Sequence, residues 1–136
     1  MDLLARREHS HVELQRKLRT KFPEQADLIE TVIDGLQQEQ LQSDERFAEA
    51  FTSSRVKKGQ GPQRIRMELQ QRGVSSPIIA IVLDEGGVDW YQLAHNVLMK
   101  KYGNKPCLDF KEKAKRSQFL HYRGFHSEHI SNCLDL

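Results

Sequence analysis

Cysteine is scarce in this chain: Cys107 and Cys133 are the only two, too few and too irregular in pattern for a disulfide framework, so reduced thiols are the default. Long apolar runs are missing as well. The longest, Ile78 to Leu83, falls far short of a membrane span, and residues 1 to 20 carry too many charges for a secretory signal peptide. A soluble, cytoplasmic protein without membrane association is expected. Aromatics make up only 7% of the chain and β-branched runs are short, which leaves no convincing strand. Glutamine, glutamate, lysine, arginine and leucine prevail instead, and they favour an all-α class. Catalytic motifs are absent too. Gly59-Gln60-Gly61 lacks the further glycine or the Lys-Ser pair of a phosphate-cradling loop, and no paired-acid or nucleophile arrangement stands out. An enzyme is not expected, and neither is a cofactor. His126, His129 and Cys133, at spacings of three and four, share one helical face and supply three zinc-type ligands. A fourth is not in sight, so no metal is expected.

What the chain does have is an internal repeat. Residues 69 to 84 return 51 positions later as residues 120 to 135, with seven of sixteen positions identical: Leu69/Leu120, Arg72/Arg123, Gly73/Gly124, Ser76/Ser127, Ile79/Ile130, Leu83/Leu134 and Asp84/Asp135. Chance would give about one, so a piece of structure is duplicated. Leu69 and Leu120 close an amphipathic run, and Gly73 and Gly124 sit where a helix needs a left-handed residue past its end. Val74 and Phe125 follow, able to fold back on the last turn. Ser76 and Ser127 are placed to cap a second helix, in which Ile79 and Leu83, or Ile130 and Leu134, face inward. Each copy therefore reads as helix, glycine turn, helix.

The pattern extends backwards to a third, more divergent copy. Residues 2 to 8 read as a short helix, and Ser10-His-Val-Glu13 is a capping box that opens the next one. Leu14 and Leu18 stand 51 residues before Ile65 and Leu69. The helix over 24 to 40 is expected to turn Ile29, Val32, Ile33 and Leu36 inward. A long helix over 44 to 58 places Phe47, Ala48 and Phe51 where Leu93, Ala94 and Val97 recur 46 positions later. Gly59-Gln60-Gly61 breaks it and Pro62 opens its successor. Asp89 caps a helix over 89 to 102, and the last two helices run over 109 to 123 and 127 to 134. The expectation is nine helices in three three-helix repeats: residues 1–42, 43–86 and 87–136.

Net charge is only +2, yet the charges are segregated. Residues 24 to 49 hold eight acids and one arginine, residues 50 to 72 six bases and one acid, and residues 100 to 123 eight bases and two acids. Two basic stretches are thus candidates for contact with a partner or with DNA. The first comprises Arg55, Lys57, Lys58, Arg64, Arg66 and Arg72; the second Lys111, Lys113, Lys115, Arg116 and Arg123. With Ile65 and Leu69 inward, Arg64 and Arg66 lie about 100° to either side and both reach solvent. A partner-facing basic edge competes here with ordinary solvated helix charge. Arg72 and its repeat Arg123 suit two roles equally, recognition and the bonding of carbonyls at a helix end. Phe119 and Tyr122 among the second group make weak stacking on single-stranded DNA compatible with the pattern, although Phe119 and Leu120 read better as core.

In order and spacing, Asp44-x-x-Phe47-Ala48-x-x-Phe51, Ser54-Arg55, Lys58-Gly59-x-Gly61-Pro62-x-Arg64-Ile65-x-x-Glu68-Leu69-x-x-Arg72-Gly73-Val74, Asp89-Trp90, Lys101-Tyr102-Gly103 and Arg123-Gly124-Phe125 resemble the signature of the RecX regulatory proteins. The match covers nearly the whole chain. The resemblance implies three tandem three-helix repeats in an elongated, curved arrangement. It also implies a partner, the RecA recombinase filament, and a function: binding in the filament groove and dampening ATPase, strand exchange and coprotease activity in recombination and repair. A monomer is expected. RecX proteins usually carry a longer segment before the Leu4-Ala-Arg-Arg7 run, so contacts made by such a segment are not carried over. The alternative is a helix-turn-helix-like module that binds DNA independently of RecA. Against it stand the small net charge and the near absence of bases in the second helices of the repeats.

Overall fold

Helix caps mark where several of the elements begin. The computed structural model describes residues 8–38 and 42–135, and these form eight α-helices, one 3-10 turn and no strand. Ser10 opens α1 (His11–Lys21) as the capping box requires. Its Oγ accepts from the Glu13 N–H at 3.1 Å, and its own N–H donates to the Glu13 carboxylate at 3.2 Å. Pro23–Gln25 make the 3-10 turn, and α2 (Ala26–Gln38) follows at once. Then come α3 (Asp44–Lys57), α4 (Pro62–Gln71), α5 (Ser76–Glu85), α6 (Trp90–Tyr102), α7 (Phe110–Tyr122) and α8 (Ser127–Leu134). Asp89 and Asp109 cap α6 and α7 by accepting from Gln92 and Glu112 N–H groups. Two expected caps move by one residue: Ser75 and His126, not Ser76 and Ser127, occupy the N-cap positions of α5 and α8. The short helix expected over residues 2 to 8 falls largely outside the described residues.

The chain divides into two compact units, Met1–Thr52 with Glu68–Gly86, and Ser53–Met67 with Gly87–Leu136. In the first, Leu14 of α1 packs with Ile29, Ile33 and Leu36 of α2, and Leu18 borders the cluster. Val32, expected inward, is 46% exposed. Three α2 positions close the small core, and Val32 lies about 100° from Ile33 around the helix, which turns it outward. In the second, Ala94 and Leu98 of α6 pack with Leu120, Phe125, Ile130 and Leu134, and Leu93, Val97, Tyr102, Phe119 and Cys133 fill the border. Burial raises the Cys133 thiol pKa, as suits a residue at the repeat position of Val82. His129, the counterpart of Ile78, is also buried. Its Nδ1 accepts the His126 N–H, and Tyr91 and Phe125 meet its ring edge to face. Among the described residues no group of His, Cys, Asp and Glu is disposed to hold a metal ion.

The repeat's glycines act as sockets. Gly73 has φ +79° and Gly124 φ +97°, the left-handed conformation that ends α4 and α7 and returns Val74 and Phe125 to bond Leu69 and Leu120 carbonyls. Each turn then receives the start of a helix that begins 62 residues earlier. In the first unit the Ser10 hydroxyl donates to the Arg72 carbonyl at 2.7 Å, and a Cβ on Gly73 would lie 2.6 Å from Val12 Cβ. In the second the Gly61 N–H donates to the Arg123 carbonyl at 2.7 Å and the Gln63 N–H to that of Gly124 at 2.8 Å. A Cβ on Gly124 would lie 2.7 Å from the Arg64 nitrogen. Absence of a side chain is therefore required twice at each turn, by the dihedral and by the docked helix start.

Candidate functional site

Charge placement in the second unit follows from helix periodicity. Along α6, Leu93, Asn96, Val97, Lys100 and Lys101 fall at i, i+3, i+4, i+7 and i+8, which is one face. On α7, Phe119 precedes Arg123 at its C-cap by four. The end of α3 and its turn add Val56, Lys57, Lys58 and Gly59. These residues enclose a cleft of about 300 Å³. Val56, Leu93, Val97 and Phe119 give it an apolar floor. Lys57, Lys58, Lys100, Lys101 and Arg123 stand around it, and no carboxylate lines it.

The cations are held by ordinary contacts. Arg123 donates from a guanidinium nitrogen to the Lys58 carbonyl at 3.0 Å and lies over the Phe119 ring at 5.4 Å, and Lys101 Nζ lies over the same ring at 5.2 Å. Tyr102 meets Phe119 edge-on at 5.8 Å. Lys57 is in the last turn of α3, and Lys100 and Lys101 in the last turn of α6, where the helix dipole favours positive charge. Dipole compensation accounts for a cation or two per helix end. It leaves the convergence of five around one recess, with no acid among the lining residues, as a local positive potential that a small anion or an anionic chain segment would neutralise.

Two sequence stretches that are far apart in number thus meet: Lys57 and Lys58 come from the first basic stretch, Arg123 from the second. The other candidates are distributed differently. Arg55 and Arg66 are half-buried, Arg64 is exposed, and Lys111, Lys113 and Lys115 lie along α7 away from the cleft lining. Arg116 is 6% exposed, and its guanidinium bonds Glu112 and the Lys105 carbonyl while stacking on Tyr102 at 4.5 Å. It props the loop before α7 and is withdrawn from the surface. Arg72 bonds the Glu68 carbonyl at 3.2 Å, pairs with Glu13 at 3.6 Å and stacks on Phe51 at 4.7 Å. Its role is to close a helix end. Lys100 and Lys101, absent from the sequence-derived candidates, share the α6 face of Leu93 and Val97 and so reach the cleft.

A second recess, about 480 Å³ in the first unit, is bordered by Gln37, Gln42, Ser43, Asp44, Glu45 and Arg46. It carries both signs of charge, so no single class of ion is selected. Among the described residues no helix is long and apolar enough to cross a membrane.

Comparison with known proteins gives a consistent answer. Residues 43–83 match the family described as RecX, second three-helix domain, and residues 88–134 match RecX, third three-helix domain. The chain is 46% identical over 134 residues to the regulatory protein RecX of Pseudomonas fluorescens strain SBW25, covering 98% of this chain and 86% of that protein. It is 46% identical to that of Pseudomonas tolaasii with the same coverage, and 43% identical to that of Pseudomonas putida strain GB-1, covering 98% and 85%. Among solved structures, a crystal structure of regulatory protein RecX superposes with a TM-score of 0.80 at 24% identity, covering 99% of this chain and 68% of that one. RecX from Lactobacillus salivarius superposes with a TM-score of 0.75 at 22% identity, covering 98% and 88%. These two share the fold.

Proposed function

This chain belongs to the RecX family of regulatory proteins, and from that premise we propose that it binds the RecA recombinase on its nucleoprotein filament. Binding there suppresses ATPase, strand exchange and coprotease activity during recombination and DNA repair. The chain acts by occupancy and performs no reaction of its own. The observation that carries this reading is the acid-free cleft of the second unit, where four lysines and Arg123 surround an apolar floor. A nucleoprotein filament presents carboxylates and phosphates, and such a cleft is attracted to both. Contact that bridges neighbouring RecA protomers, or covers the path of incoming DNA, would slow filament growth and strand exchange together.

Independent DNA reading by a helix-turn-helix unit has less support. The second helices of the two glycine-turn units, α5 and α8, contain no lysine or arginine, and a recognition helix needs such groups to reach phosphates and base edges. Affinity for bare DNA should be weak and steeply salt-dependent. The test is RecA's ATPase on single-stranded DNA, titrated with this chain. The expected result is progressive suppression. An unchanged ATPase rate at saturating protein, or a sequence-preferring footprint on DNA without RecA, would overturn the reading.

A further inference from the structure

We propose that the second-unit cleft takes an acidic segment of its protein partner carrying one apolar anchor side chain, in preference to the phosphates and bases of single-stranded DNA. This deepens the preceding reading and rests on it for the partner's being a protein. Three features of the cleft point the same way.

Its charges are point charges in one place. Four of the five cations are lysine ammonium groups gathered at the ends of α3 and α6, a cluster that suits several anionic groups on one short segment, and the floor and the ring decide between carboxylates and phosphates. Its floor is apolar and partly open to solvent. Val56, Leu93 and Val97 are half-buried, so an anion alone would leave them wet, whereas a leucine-sized side chain between two acids would cover them while the acids meet the lysines. Its aromatic ring is already occupied. Phe119 is covered by Lys101 and Arg123 and abutted by Tyr102, which removes the platform on which single-stranded nucleic acid gains sequence-tolerant stacking. A volume of about 300 Å³ accommodates one or two side chains, the scale of a peptide anchor.

The experiment is fluorescence anisotropy with the full chain and three labelled probes: a short peptide of aspartate and glutamate with one central leucine, the same peptide with alanine there, and an oligothymidine of equal net charge. The leucine peptide should bind at least about fivefold more tightly than the alanine peptide. It should also bind more tightly than the oligothymidine. Lys57→Glu/Lys100→Glu, both at exposed positions, should weaken the leucine peptide by about tenfold or more with an unchanged helical circular dichroism spectrum. Equal binding of the two peptides would mean ion exchange without an anchor and would overturn the proposal. So would tighter oligothymidine binding, or a double variant that binds as the parent does. RecA ATPase measured alongside separates the two levels: suppression without peptide selectivity rejects the acidic-anchor site and keeps the filament reading, while selectivity without suppression does the reverse.

Discussion

The Arg72–Gly73 and Arg123–Gly124 turns are copies of one design that differ in how the arginine charge is met. In both, an arginine precedes a left-handed glycine, stacks on a phenylalanine and offers its carbonyl to the start of an earlier helix. The helix start supplies the difference. In the first unit it carries Glu13, which pairs with Arg72. The residue 51 positions on is Arg64, and among the described residues Arg123 has no carboxylate partner. The Arg72 guanidinium is thus neutralised by a carboxylate, whereas that of Arg123 keeps its charge at the rim of the cleft. The same turn is a closed, ion-paired joint in one unit and part of a positively charged cleft rim in the other.

The largest effect expected from breaking this comparison is at the socket itself. Gly124→Ala would force a left-handed alanine against the Arg64 backbone nitrogen at 2.7 Å, and should lower unfolding free energy by more than about 2 kcal/mol in urea titrations. Gly73→Ala should cost a comparable amount, because a left-handed alanine there would lie 2.6 Å from Val12 Cβ, an atom fixed to the α1 backbone. Next is the charge swap. Glu13→Arg removes a capping box and the Arg72 partner together and should destabilise the first unit by about 1–2 kcal/mol. Arg64→Glu places the first unit's acid at the equivalent repeat position, with stability changed by less than about 1 kcal/mol but filament inhibition weakened several-fold, about one reversed charge's worth.

A smaller effect separates the units by pH. Burial, and then the charge of His126, lower the His129 pKa, with Glu128 opposing. The unfolded chain then takes up a proton near pH 6.5 that the folded chain refuses, so stability is full above that value and falls as pH drops through it. Thermal unfolding between pH 7.5 and 5.5 should show a decline of about 3 °C attributable to this group. His129→Ile, the residue that the first unit has at position 78, should flatten it.

Much of this was legible in the chain. The glycine-turn repeat located α4, α5, α7 and α8 because a left-handed glycine and an inward leucine every four residues are local requirements. The Ser10–Glu13 box marked α1 for the same reason. Val32 escaped because periodicity does not say how wide an apolar stripe its neighbours will cover. The site was harder to read. Clustering of bases along the chain favoured Arg116, yet its position one turn before the core residue Leu120 turns it inward onto Tyr102. Lys100 and Lys101 become candidates only because α6 places them in one cleft with Lys57 and Arg123, a long-range juxtaposition that no local pattern encodes. The Glu13-to-Arg64 exchange was visible in the repeat alignment, but its meaning depended on the ion pair that Glu13 makes with Arg72 in the folded chain.

Whether the proposed regulation runs through the second-unit cleft is decided by comparing two double charge reversals in the RecA ATPase titration. Lys57→Glu/Lys100→Glu alters the cleft, and Lys111→Glu/Lys115→Glu makes the same change in charge on α7 outside it. The first should raise the protein concentration needed for half-suppression by about tenfold or more, and the second should change it by less than about twofold. Equal loss in both, or a larger loss from the α7 pair, would contradict regulation through the cleft.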